Sequence, residues 1–213
     1  MNLELVPIKI ENGEEKAWQK VCKLPSLDVC KRTGSIFDIN KGCYILNSFG
    51  QEFMINPCEM LIKAVDNCPH GEIFLVRLKD FFRISVLSYM SSAQNIGLSG
   101  RLLRPIDLKG GHRFSTGTHV LPLEMIAQKY NKNRDGFVDR GLQYGAIEIK
   151  GYGDAYIRLF PFSRVPVDLI LWLEDEEFPA KVDLFFDSTC ELQISLSDVI
   201  WAIAMMCCVI MID

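Results

Sequence analysis

The sequence lacks most of the patterns that announce an activity. Positive charge is not in surplus: 23 lysines and arginines face 27 aspartates and glutamates, for a net charge of −4, and the two signs are interspersed. A protein that binds nucleic acid by neutralising phosphates gathers lysine and arginine on one face, so that class is set aside, although a local basic pocket is not. The start, MNLELVPIKIENGEE, has no basic segment leading into an apolar core and a small-residue cleavage site. A cytoplasmic protein is the expectation. The eight cysteines are scattered, with no Cys-x-x-Cys pair, and are read as reduced thiols outside any disulfide framework.

Long apolar runs are also missing. The most apolar uncharged stretch, VIWAIAMMCCVIMI at residues 199–212, has fourteen residues. Spanning a bilayer takes about 20. Extending it backward meets Gln193, Ser195, Ser197 and Asp198. Length favours a helix buried in the core or against a partner over a membrane tail anchor, and Ser197 or Asp198 is a suitable N-cap. The chain has no Walker A loop, no dinucleotide-binding glycine fingerprint and no Gly-x-Ser-x-Gly elbow. The histidines are His70, His112 and His119. Cys68-Pro69-His70 with Cys58 comes nearest to a zinc pattern, but no second pair completes it, so no metal or cofactor is expected in this chain.

What is present suits one α+β domain. At 213 residues and 49% hydrophobic content the chain can bury a sizeable core, and 23% charged residues is ordinary for a globular protein. GEEKAWQKVCKL places Ala17, Trp18, Val21 and Cys22 on one helical face and stops at Pro25; LDVCKRT follows, opened by Ser26 and closed by Gly34. Residues 43–56 predict a hairpin around Ser48-Phe49-Gly50, with EMLIKAV as a third strand. A long apolar helix is expected over residues 71–92, then an extended loop at 93–118, then helices at 119–131 and 134–144. AIEIK, AYIRLF, VDLILWL and KVDLFFD predict a mostly antiparallel C-terminal sheet, because such short connections rule out parallel crossovers. The apolar helix closes the domain.

The segments GLSGRLLRPIDLKGGHRF and RLFPFSRVPVDLILWLEDEEFPAKVDLFFDS resemble the prokaryotic domain-of-unknown-function family DUF3786. The resemblance rests on Gly100, Gly110, Gly111, Phe114, Asp154, Arg164, Pro166, Trp172, Asp175, Glu176, Glu177, Phe178, Pro179, Phe186 and Asp187. It covers most of the chain and is strongest from residue 98 onward. The family's His-containing stretch after Asp187 has no counterpart in Glu191-Leu192-Gln193. The resemblance implies an anaerobic, redox- or corrinoid-linked setting, since some relatives are fused to a four-cysteine iron–sulfur domain. That module is missing from this sequence, so an iron–sulfur or corrinoid group would come only through a partner protein. It also implies that the loop after the acidic turn is constrained, with Phe178 packed.

Two constellations remain as candidate sites. The first is basic: Arg101, Arg104, Lys109, His112 and Arg113 are interleaved with Gly97, Gly100, Gly110 and Gly111. Glycines let successive amides turn toward an anion, and arginine recognises carboxylate or phosphate with two parallel bonds. An anionic ligand or acidic partner is the class this would take. Arg164 and Trp172, which also carry the resemblance, join these candidates. The second is the acidic turn Glu174-Asp175-Glu176-Glu177 with Asp183 and Asp187 downstream. It reads either as a solvated hairpin tip, with Asp187 as a cap, or as carboxylates facing a pocket. The leading expectation is therefore a non-enzymatic binding or accessory module acting through residues 97–114. The alternative is an enzyme using Asp175, Glu176 or Asp187, with Asp154 nearby, for acid–base or metal-assisted chemistry. A third is self-association through the C-terminal apolar helix.

Overall fold

A computed structural model describes residues 13–66, 68–112 and 119–213. Helix α1 (Gly13–Lys23) buries Trp18 and Val21 and is tied to the next long helix by the Arg83–Glu14 ion pair. Helix α2 (Ser26–Thr33) ends at Gly34, whose φ of 74° gives the left-handed turn that closes a helix without a Cβ penalty. Ser26 does not cap it; Pro25 occupies the N-cap position and offers no side-chain bond.

Four short strands follow as an antiparallel meander in the order β1 (Ile36–Asp38), β2 (Cys43–Ser48), β3 (Gln51–Asn56) and β4 (Leu61–Ala64). The β2–β3 turn is Phe49-Gly50, both at positive φ, the twist a two-residue hairpin requires. A phenylalanine is an unusual occupant of that conformation. Tertiary contacts hold it: Phe49 is fully buried, stacks on Phe74 at 4.9 Å, and donates its amide to the Phe160 carbonyl of the second sheet.

The expected long helix has two parts, a π-helical segment Ile73–Arg77 and α3 (Lys79–Ser92). The described part of the expected loop, residues 93–112, is more structured than its glycines suggested. Leu102–Leu103 form β5, and Pro105–Asp107 make one 3₁₀ turn. Then come α4 (Leu123–Lys129), α5 (Arg134–Gln143), β6 (Ile147–Glu148), β7 (Ala155–Phe162), β8 (Val165–Trp172), β9 (Lys181–Asp187), α6 (Cys190–Gln193) and α7 (Ser197–Ile212). The second sheet runs β5-β9-β8-β7-β6 and every neighbour is antiparallel. The fold is α+β.

Alternation assigns the sheet's two faces. Ile157, Leu159, Val167, Leu169, Leu171, Leu184 and Phe186 point into the core. Against that side lies α7, and residues 199–211 are all buried. A helix that is apolar on every side must be surrounded; α3, α4, α5 and β7 surround this one. Its last carbonyls, otherwise unpaired, accept bonds from Arg140 Nε to Ile210 O, Tyr130 Oη to Met211 O and Lys129 Nζ to Ile212 O. The apolar run is thus a core helix, and its surface is engaged by its own chain. Among the described residues, no helix is long and apolar enough to cross a membrane.

Candidate functional site

The two charged constellations are arranged very differently. In the basic loop, the backbone is fixed by two acids from the end of β9 and the segment after it, more than 80 residues further along the chain. Asp187, at the end of β9, is buried, and its oxygens accept from Ser99 N, Ser99 Oγ, Gly100 N, Thr189 N and Thr189 Oγ1 at 2.7–3.1 Å. Burial pushes its carboxyl upward, but the Thr189 hydroxyl and the Thr189, Ser99 and Gly100 amides outweigh this and hold it below the ordinary carboxylate range. Glu191 accepts the Lys109 amide at 2.9 Å. Gly111 sits where a Cβ would lie 1.9 Å from the Pro105 carbonyl, so it serves close packing of the 3₁₀ turn. Asp187 is the cap that ties the loop to β9.

Arg164 is also turned inward. Its guanidinium donates to the carbonyls of Arg32, Ile96 and Lys31 and to Asn95 Oδ1 at 2.7–3.2 Å. It joins the end of α2 to the start of the loop. Arg101, Arg104 and His112 are exposed, with Arg104 paired to Asp107. None of these residues lines the cavities of about 1030, 530 and 220 Å³ found among the described residues. Arg113 and Phe114 lie outside the described residues.

The acidic turn borders a cavity of about 1030 Å³, an open-sided groove between α4 and the β8–β9 connection. Among the described residues, Glu124, Asp154, Glu174, Asp175 and Asp183 line it together with Lys181, and Lys132 pairs with Glu174 at 3.3 Å. Each wall is fixed by backbone hydrogen bonds. Asp175 Oδ1 accepts the amides of Glu177 and Phe178 at 2.9 and 2.7 Å, an Asx turn that shapes the tip. Asp154 Oδ2 accepts the Leu173 amide at 2.8 Å, and Asn131 exchanges two bonds with Glu174. Asp183 accepts from Trp172 Nε1 at 3.1 Å and pairs with Lys181 at 2.7 Å. Glu176 and Glu177 stand exposed on the tip.

Two aromatic side chains rim this groove in water. Trp172 is 44% exposed and Phe178 is 66% exposed. The packed Phe178 expected from the resemblance is therefore corrected: the Asx turn constrains the backbone but leaves the ring outside. Tyr156, by contrast, is buried, and Tyr152 is exposed and meets it edge to face.

Reading the sequence missed a buried ion pair on the outer face of the same sheet. Arg158 grips the fully buried Asp168 through Nε and Nη2 at 2.7 and 3.0 Å, and Nη2 lies 3.4 Å from Tyr156 Oη. Strand register makes Arg158 and Asp168 direct partners. Alternation placed both on one face, but their adjacency depended on a register that spacing alone does not give. Glu124 was missed for a similar reason, since nothing local brings α4 to the β8–β9 turn.

The thiols are all free. Cys58 faces Cys22, at an Sγ–Sγ distance of 2.7 Å, and not Cys68; His70 packs on Tyr144 at 4.6 Å. Among the described residues no three His, Cys, Asp or Glu side chains cluster as metal ligands. A second cavity, about 530 Å³, lies between α1, α3 and the start of α7 and is lined by Lys20, Asp80, Ser88, Ser91 and Asp198 among others.

An α+β domain with an open acidic and aromatic groove defines the class. Residues 26–208 match the family described as Domain of unknown function (DUF3786), and the chain belongs to that family. Comparison with curated proteins and with solved structures found no match for either.

Proposed function

We propose that this protein is a non-enzymatic binding module whose α4/β8–β9 groove receives a lysine- or arginine-rich segment of a partner protein. The observation that carries this reading is the exposure of Trp172 and Phe178 beside five carboxylates. A cationic side chain gains from the ring face and from the carboxylates together. Exposed aromatics at the centre of a polar rim are also the usual anchors of protein interfaces. The groove is open along one side, whereas small-molecule sites are largely enclosed. The family resemblance implies an iron–sulfur or corrinoid protein as the partner.

The anion reading of residues 97–114 keeps Arg101, exposed and without a side-chain partner among the described residues, but draws no support from a cleft. The enzyme reading needs carboxylates in a water-excluding cleft; those of the turn are exposed, and Asp187 has both oxygens covered by donors.

Trp18 and Trp201 are buried, so solvent-accessible tryptophan fluorescence among the three tryptophans reports on Trp172. Titration with an oligo-arginine peptide at low salt should shift that emission saturably, and a matched oligo-glutamate peptide should not. Salt should weaken the binding, since exposed charges are screened over about 10 Å at 0.1 M. Binding of the acidic peptide alone would return the site to Arg101 and Arg104, and binding of neither would reject both surfaces.

A further inference from the structure

Cys22 lies in the last turn of α1, and Cys58 lies in the turn between β3 and β4, 36 residues further along. Both thiols are exposed, while Cys43, Cys190, Cys207 and Cys208 are buried. Their sulfurs are 2.7 Å apart, well inside ordinary non-bonded sulfur–sulfur contact and shorter than a thiol–thiol hydrogen bond, so the two thiols stand within reach of a bond between them. The fold holds each backbone in place. Val21, next to Cys22, is fully buried, and Asn56 Oδ1 accepts the Cys58 and Glu59 amides at 3.1 and 3.2 Å. The pair opens into a crevice of about 220 Å³, walled by Phe37, Tyr44 and Pro57. Two thiols brought together in this way, at the surface, are reachable by a small disulfide in solution.

We propose that Cys22 and Cys58 form a reversible disulfide by exchange with a low-molecular-weight disulfide such as oxidised glutathione. One thiolate attacks the small disulfide, forming a mixed disulfide and releasing one glutathione thiolate. The second protein thiolate then attacks the protein-side sulfur of that bond and releases the second. Two electrons pass to the small disulfide, and the two protein protons end on the two glutathione thiols. The new bond clips the end of α1 to the four-stranded meander. Because α1 supplies Glu14, Ala17 and Lys20 to the wall of the second cavity, the clip fixes that wall as well.

The reduced full-length protein is incubated with oxidised glutathione, quenched with acid and alkylated, and read by intact mass and peptide mapping. The expected product has lost two hydrogens, about 2 Da, by the exchange stoichiometry. It carries a Cys22–Cys58 linkage, retains no glutathione and is reversed by dithiothreitol. Cys22→Ser should stop at a glutathione adduct on Cys58, and Cys58→Ser at one on Cys22. Both positions are exposed, so neither variant disturbs the core. Glutathione accumulating on both thiols of the wild type without ring closure would overturn the proposal, as would a linkage through another cysteine.

Discussion

The loop at residues 97–112 and the groove beside residues 172–183 are both rich in charge, yet their polar groups do opposite work. In the loop the key groups face inward: Asp187 accepts five bonds from the backbone and side chains it organises, and Arg164 donates to three carbonyls and Asn95. In the groove the carboxylates use part of their capacity to shape the turn and present the remainder to water, with Trp172 and Phe178 exposed among them. Charge density does not separate a scaffold from a binding surface. The direction of the hydrogen bonds does, because a buried group already saturated by its own chain has nothing left for a ligand.

If that contrast is right, the loop's charges matter for stability and the groove's for binding. The largest effect should come from Asp187→Ala, which strands several donors at a buried position. A loss of roughly 3–4 kcal/mol is expected, since each buried group left unpaired costs about 1–3 kcal/mol and water relieves some of them. Urea denaturation measures it. The acid dependence follows from the lowered carboxyl. The stabilisation is complete above the unfolded value near pH 4 and is lost as pH falls through the lower folded value. The variant should therefore show a shallower loss of stability on the acid side than the wild type. An Asp187→Ala protein with wild-type stability and altered ligand binding would reverse the comparison at its strongest point.

Arg164→Lys comes next. Lysine keeps the charge but not the planar fork that reaches four acceptors at once, so about 1–3 kcal/mol should be lost in the same denaturation experiment. On the other side of the comparison, Trp172→Ala should leave stability within about 1 kcal/mol, because the ring is half in water, and should weaken oligo-arginine binding by roughly tenfold or more. Isothermal titration measures the second effect. A Trp172→Ala variant that loses stability but binds normally would make the exposed ring a structural feature and remove the groove from consideration.

Much of this architecture was legible in the chain. Periodicity gave the helices at either end and the long central one, and short connections required antiparallel β7, β8 and β9. Residues 199–212 could be read as a buried helix because fourteen residues are too few to span a membrane, but whether its own chain or a partner would cover it was not legible. Strand β5 was hidden because two leucines between arginines carry no alternation; Asp187, Ser188 and the β9 backbone create it by pairing. The Gly/Arg loop is ambiguous in sequence for a physical reason. Glycine beside arginine is the signature of an anion cradle and equally of a tight loop clasped by acids from another segment, and the acids lie more than 80 residues away. At the acidic turn the spacing announced a tip but could not say that α4 would stand opposite, adding Glu124 and turning the tip into one wall of a groove.

The smallest expected effect is also the most discriminating. Asp175 has two roles that one substitution separates: its Oδ1 accepts the Glu177 and Phe178 amides, and its charge faces the groove. An asparagine side chain retains an acceptor oxygen and forms the same Asx turn, so Asp175→Asn should alter stability by no more than about 0.5 kcal/mol. The charge is removed all the same. If the carboxylates act together on a cationic segment, affinity for oligo-arginine should fall severalfold at low salt, and the difference from wild type should shrink as salt rises. Asp175→Ala removes the acceptor too and should lose additional stability while reaching the same affinity at high salt. Equal binding by wild type and Asp175→Asn at every salt concentration would mean that the tip carboxylate only shapes the turn, leaving Trp172, Phe178 and the inner carboxylates to account for any recognition.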